Sequence, residues 1–158
     1  MLFVQSLVLM AALLRAAPPP ASITIEYGGN VIAIDAAAWA ALPRQEVTAS
    51  DHGTPTTFEG VLLRRVLSMA KVPSGSTLRG EALRLIVRIE ARDGYQAVFS
   101  LAELDPQFRE RAILIADTRD GKRLPPDVGP YQVVVPDEAR GSRWVRQVEK
   151  IVVFSAAR

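Results

Sequence analysis

The sequence predicts an α+β domain of mixed or antiparallel sheets with a few short helices. Three observations point there. Apolar residues alternate with polar ones in several short runs, the mark of half-buried strands. Helical periodicity shows in only a few short segments. Gly, Pro and Asp turn signals separate the runs at close intervals, which suits hairpins better than long βαβ crossovers.

Taken in order, Pro18–Ala21 reads as a linker. Ser22–Tyr27 alternates, with Ile23 and Ile25 on one face. Gly28-Gly29-Asn30 is a turn, and Val31–Ile34 is the return strand of a first hairpin. Asp35 can cap a helix over Ala36–Leu42, which Pro43 ends. Glu46–Ala49 is a strand, and Asp51–Pro55 is a polar loop. After Gly60, the run Val61, Leu62, Val66, Leu67 and Ala70 fits one helical face, with Arg64, Arg65 and Lys71 on a solvated side. Ala82–Ala91 alternates as a half-buried strand. Asp93-Gly94 turns it into Gln96–Phe99. Ser100 and Glu103 form a capping-box pattern that opens a short helix. Ile113–Ala116 is a strand, and Asp117, Arg119 and Asp120 read as surface charges around a turn. Asp120-Gly121 signals a hairpin, Pro125-Pro126 an extended loop, Val133–Val135 a buried strand stopped by Pro136, and Glu149–Phe154 the last strand.

At 158 residues, the chain suggests one domain with enough length for a real core. The formal net charge of +2 is a small surplus among balanced charges, and no Lys/Arg stripe carries interleaved aromatics. Nucleic acid is therefore not an expected partner. The sequence has no cysteine, which excludes disulfides, thiolate nucleophiles, iron–sulfur clusters and cysteine-based zinc sites. No phosphate-cradling loop, Gly-x-Gly-x-x-Gly or Gly-x-Ser-x-Gly elbow is found.

Residues 1–14 carry no charged side chain and are followed by Arg15, Ala16, Ala17 and three prolines. The run is too short to span a bilayer comfortably and fits the apolar core of a secretory signal, with cleavage around Ala16–Ala21. No Lys or Arg precedes it. A hydrophobic helix packed on the domain and an uncleaved anchor are the alternatives. The expectation is a signal peptide and linker over 1–21, a domain over 22–156, export to the periplasm or beyond, and no stable membrane span after cleavage.

Several fragments then fall in a telling order. They are Phe58–Leu63 (FEGVLL), Asp93-Gly94-Tyr95, Leu114–Asp117, Asp120–Pro125 (DGKRLP), Gly129-Pro130, Val133–Pro136 and Arg143-Trp144. Together they resemble the oxidoreductase molybdopterin-binding domain of the sulfite oxidase family, over about residues 22–156. The resemblance implies that family's fold of mixed sheets with short helices. It also implies molybdopterin as the possible cofactor and two-electron chemistry at molybdenum.

Family members hold the metal through one cysteine thiolate on the loop before the Gly-Val segment. Here that loop is Ser50-Asp51-His52-Gly53, and Asp51 or His52 would be a much harder ligand. Val128 stands where the family tends to place Asn or His. Gln132 replaces an arginine suited to bidentate phosphate or pterin contact, and Arg143 keeps the charge of the closing lysine.

The candidate cleft residues are Asp51, His52, Tyr95, Gln132, Arg140 and Arg143. His52, the single histidine, is either a general base or ligand group beside Asp51, or a solvated loop residue. One histidine makes a mononuclear metal site unexpected unless carboxylates complete it. Arg140, Arg143 and Arg146 sit close in sequence around Trp144 and read either as an anion-binding loop, using the Gly141 and Ser142 backbone N–H groups plus Arg143, or as a solvated basic loop with Trp144 in the core. Tyr95 either reaches a cleft through its hydroxyl or is structural.

Three functional readings follow. The first is an exported ligand- or partner-binding module on this scaffold, with no cofactor expected and a small anion or a protein as partner. The second is an oxidoreductase that holds molybdopterin without cysteine. The third is metal-free catalysis by His52 and Asp51.

Overall fold

The computed structural model describes residues 22–51 and 53–156, with only the backbone of Asp51. The signal and linker expectation and His52 lie outside the described residues.

Among the described residues, ten strands form two sheets. In the first, β1 (Ile23–Tyr27), β2 (Asn30–Ile34), β5 (Leu85–Ala91), β6 (Gln96–Ser100) and β10 (Val148–Ser155) run in the order β2-β1-β10-β5-β6. The β1–β10 pair is parallel, with Ile25 opposite Ile151, and the other pairs are antiparallel. The second sheet, wholly antiparallel, orders β3 (Gln45–Asp51), β4 (Thr54–Leu62), β7 (Leu114–Arg119) and β8 (Lys122–Arg123), and β9 (Gln132–Val134) also pairs with β7. These mixed sheets with short helices are the α+β class expected.

Turn chemistry sets the hairpins. Gly28 and Gly29 have φ of 58° and 80°, and Asp120 and Gly121 have φ of 48° and 73°. Two consecutive left-handed residues give the turn whose twist matches its strands. Asp35 caps helix α1 (Ala36–Ala40), its Oδ1 accepting from the Ala38 N–H at 2.8 Å. The Ser100–Glu103 box forms in both directions, at 3.0 and 3.2 Å. It opens a 3-10 turn rather than an α-helix.

Inward alternation fills one core from both sheets. Ile23, Ile25, Val87, Ile89, Phe99, Ile151 and Val153 come from the first sheet; Val61, Leu114, Ile115, Val133 and Val134 come from the second. Helix α2 (Leu63–Met69) adds Leu63, Val66 and Leu67.

Three element boundaries differ from expectation. Val61 and Leu62 end β4 instead of opening α2, because both pair across to β7. Thr54 and Pro55 are not loop. They continue the β3–β4 ladder opposite Asp51 and Ser50. Gly80–Arg84 is a 3-10 turn, and the strand begins at Leu85. Gly60 explains why β4 lies so close to β7. A Cβ there would sit 2.1 Å from the Ile115 carbonyl oxygen and 2.6 Å from Ala116 Cα.

Candidate functional site

The β5–β6 turn and the loop from Arg140 to Gln147 meet at one end of the first sheet. Arg92 N–H donates to the Gln147 carbonyl at 3.0 Å. Val133 N–H donates to the Val145 carbonyl at 2.8 Å, and Val148 N–H to the Tyr131 carbonyl at 3.0 Å. The loop is thus tied to both β5 and β9. Trp144 anchors it from within. Its indole N–H donates to the Val135 carbonyl at 3.2 Å, and its ring meets Phe58 edge-on at 5.5 Å. Burial of the ring supports the core-packing reading of this tryptophan.

Between turn and loop lies a pocket of about 280 Å³, lined by Asp93, Tyr95, Gly141, Ser142, Trp144 and Arg146, with Ala91 behind. Asp93 closes the turn by accepting the Tyr95 N–H at 2.9 Å. This sets the Tyr95 ring half-exposed at the mouth, its hydroxyl donating to the Ser142 carbonyl at 2.5 Å. Arg146 is exposed and has no carboxylate within ion-pair distance among the described residues. The pocket therefore offers an aromatic face, neutral polar groups and one cation without a carboxylate partner among the described residues. Asp93 supplies opposing charge at the turn.

Arg143 sits in the same loop but is engaged elsewhere. Its Nε donates to Glu138 at 2.8 Å and its Nη1 to Glu103 at 3.1 Å and to the Val98 carbonyl at 3.1 Å, while Nη2 also reaches Glu138. The guanidinium lies 4.2 Å from the Phe99 ring centroid. Burial opposes its charge, but the Glu138 and Glu103 carboxylates outweigh that and raise its pKa.

Arg111 shares these acids. It contacts Glu103 and Glu138 at 3.3 Å each and Asp137 at 2.7 Å, with only 5% of its side chain exposed. Burial would raise the Asp137 pKa, and Arg111 pulls it below the usual carboxylate range. Arg109 completes the group at 2.8 Å from Asp137. Three arginines meet three carboxylates, and the charge is internally balanced.

A second polar hub lies beneath α1. Asp117 is 7% exposed and accepts from the Trp39 indole N–H at 2.7 Å, from Arg44 at 2.6 and 3.0 Å, and from Thr118 at 2.8 Å. Burial raises its pKa, and the Arg44, Trp39 and Thr118 hydrogen bonds bring the net value below normal. Asp117 is thus a buried anchor, not the surface charge expected. Tyr131, its ring tilted at 56° to that of Trp39 with centroids 4.6 Å apart, has its phenol pKa raised by burial and then by Asp117.

Of the candidate residues whose side chains are described, Tyr95 alone lines the pocket. Gln132 is buried in β9 opposite Ala116, and Arg140 is exposed at the start of the loop's 3-10 turn. Asp51 ends β3 at the hairpin tip where His52 follows. Sequence reasoning grouped Arg146 with Arg140 and Arg143 around Trp144 but gave the anion to Arg143, and it read Asp93 as a turn former rather than a pocket residue. The Asp-Gly-Tyr spacing was the available signal for Asp93; Arg146 carried none beyond its nearness to Trp144.

The model for the oxidoreductase molybdopterin-binding domain family matches residues 32–158. The chain belongs to that family. No curated protein matches its sequence. Among solved structures, the sulfane dehydrogenase SoxCD from Paracoccus pantotrophus superposes with a TM-score of 0.66 at 16% identity. The match covers 86% of this chain and 38% of that one, and at this identity it concerns the fold. This molybdopterin-binding domain thus has the sulfite oxidase-like architecture that its fragments suggested.

Family membership raises molybdopterin, so the fit of the residues matters. The sequence contains no thiolate donor. Among the described residues, no group of three or more His, Asp or Glu side chains converges as a metal site. The arginine beside Trp144 is bound to two carboxylates. These residues do not fit molybdenum held by a thiolate. Among the described residues, no helix is long and apolar enough to cross a membrane.

Proposed function

We propose that this member of the family is an exported binding module whose ligand site is the Tyr95–Arg146 pocket. The observation that carries the reading is the commitment of Arg143 to Glu103 and Glu138, beside a pocket where Arg146 has no carboxylate partner among the described residues. The cation that resemblance would place on a cofactor is neutralised within the protein. At about 280 Å³, the pocket lies just below the usual range for ligand cavities, roughly 300–1,000 Å³. It suits a small planar organic anion, its ring against Tyr95 and its charge on Arg146. Export is supported by the uncharged run over residues 1–14 and the Ala/Pro segment after it.

Pterin-6-carboxylate is a suitable probe because its own fluorescence reports binding. Saturable quenching is expected with the parent protein. It should weaken by about tenfold in Arg146→Gln, the loss of one charge-assisted contact. Equal binding by parent and variant would remove the pocket from the account.

A second reading is favoured by the family match itself: an oxidoreductase that holds molybdopterin without cysteine. It requires metal and pterin to accompany the purified protein.

A further inference from the structure

Helix α2 carries two adjacent arginines, Arg64 and Arg65. Arg64 and Arg65 are both exposed, and among the described residues no acid lies within ion-pair distance of either. The Leu63–Met69 segment itself contains no acid. Beside it lies a groove of about 290 Å³, walled by α2, the Ser74-Gly75 turn and the Asp105–Gln107 loop. Its polar lining is Arg64, Arg65, Ser68, Ser74, Gln107 and Asp105.

Asp105 places one carboxylate in the lining, and its oxygens are held by backbone donors rather than by the arginines. It is 6% exposed, with Oδ2 accepting the Gly75 N–H at 2.6 Å and Oδ1 the Gln107 N–H at 3.0 Å. The acid therefore staples the two loops together and fixes the wall opposite α2. Two guanidinium groups without a carboxylate partner among the described residues remain on one side, with the Ser74 hydroxyl and the Gln107 amide around them, while the Ser68 hydroxyl donates to the Arg65 carbonyl at 2.7 Å. That donor set matches a tetrahedral oxyanion, which takes charge-assisted bonds from arginine and neutral bonds from hydroxyl and amide groups. An ordinary solvated helix face would need no such wall.

We propose that this groove is an oxyanion site, for phosphate or for the phosphate group of a small organic ester. It shares no lining residue with the Tyr95 pocket. Its fate is therefore independent of the ligand reading above.

The test is calorimetric titration of the whole chain with sodium phosphate and with glycerol 3-phosphate, at ionic strength held constant with sodium chloride to fix screening. Saturable binding is expected. The Arg64→Gln/Arg65→Gln double variant should weaken it by at least about tenfold, while Arg146→Gln leaves it unchanged. The replaced side chains are exposed and have no carboxylate partner among the described residues, and matching thermal unfolding will confirm that the fold persists. Binding of the ester alone would assign the site to an organic phosphate. Absence of saturable binding by either probe, or equal binding by parent and double variant, would overturn the proposal.

Discussion

Replacing Asp117 by Ala removes the acceptor at the centre of the α1–β7 contact. The Trp39 indole N–H loses a 2.7 Å bond within the core, and Trp39 itself is 4% exposed. A buried donor left unsatisfied costs about 1–3 kcal/mol. Arg44 loses two bonds, but its side chain is 33% exposed and Glu59 remains as a partner, so its share is discounted to about 0.5–1 kcal/mol. The total is about 1.5–4 kcal/mol, a fall in Tm of roughly 3–16 °C.

The effect must also depend on pH. The folded pKa of Asp117 is lowered below its usual 3.8, because the Arg44, Trp39 and Thr118 bonds outweigh burial. Its contribution is then fully present above the unfolded value and is lost as pH falls through the folded one. Urea unfolding followed by tryptophan fluorescence should show the full gap between parent and Asp117→Ala at pH 7, shrinking below pH 3.8. A gap under about 0.5 kcal/mol at pH 7 would refute the reasoning, since it would mean that the buried indole loses nothing.

Three further outcomes follow from packing and charge. Gly60→Ala should cost about 2–4 kcal/mol in urea unfolding, because the new methyl meets β7 backbone that cannot retreat without opening the ladder. Gly28→Ala, with open space around it and φ of 58°, should cost only about 1–2 kcal/mol. Arg111→Met should lower stability by about 2–3 kcal/mol at pH 7, leaving Glu103, Asp137 and Glu138 short of a cation. The share of that loss carried by Asp137, whose pKa Arg111 holds below the usual 3.8, should fade as pH falls below that value, and a loss that stays constant there would speak against electrostatic pairing.

Much of the fold was legible because local chemistry wrote it. Gly28-Gly29 and Asp120-Gly121 can adopt the paired positive φ of tight hairpins, and Asp35 and Ser100 sit where a cap is needed. Period two was clear in β5 and β6 because one face of each is buried. It failed in β4, where Gly60, Val61 and Leu62 are all buried and the run reads equally as helix. Gly80–Arg84 shows the converse error, since its alternation fits a 3-10 turn as well as a strand.

The candidate site was harder to read because its deciding contacts are long-range. Arg143 looked like an anion-binding residue from Gly141 and Ser142 beside it, but Glu103, which holds it, is 40 residues away. Asp117 looked like a turn charge, and its indole partner is 78 residues away. No spacing rule reaches so far. The family fragments succeeded where local pattern could not, because their order reflects the whole fold.

The central claim is that this molybdopterin-binding-domain scaffold works without thiolate-held molybdenum. Its most direct test is the molybdenum and pterin content of the protein, purified from a host that makes molybdopterin. The account predicts a folded protein with neither metal nor pterin near one equivalent per chain. Stoichiometric molybdenum, with pterin fluorescence released on oxidation, would contradict it and would place the replacement ligand among residues other than cysteine.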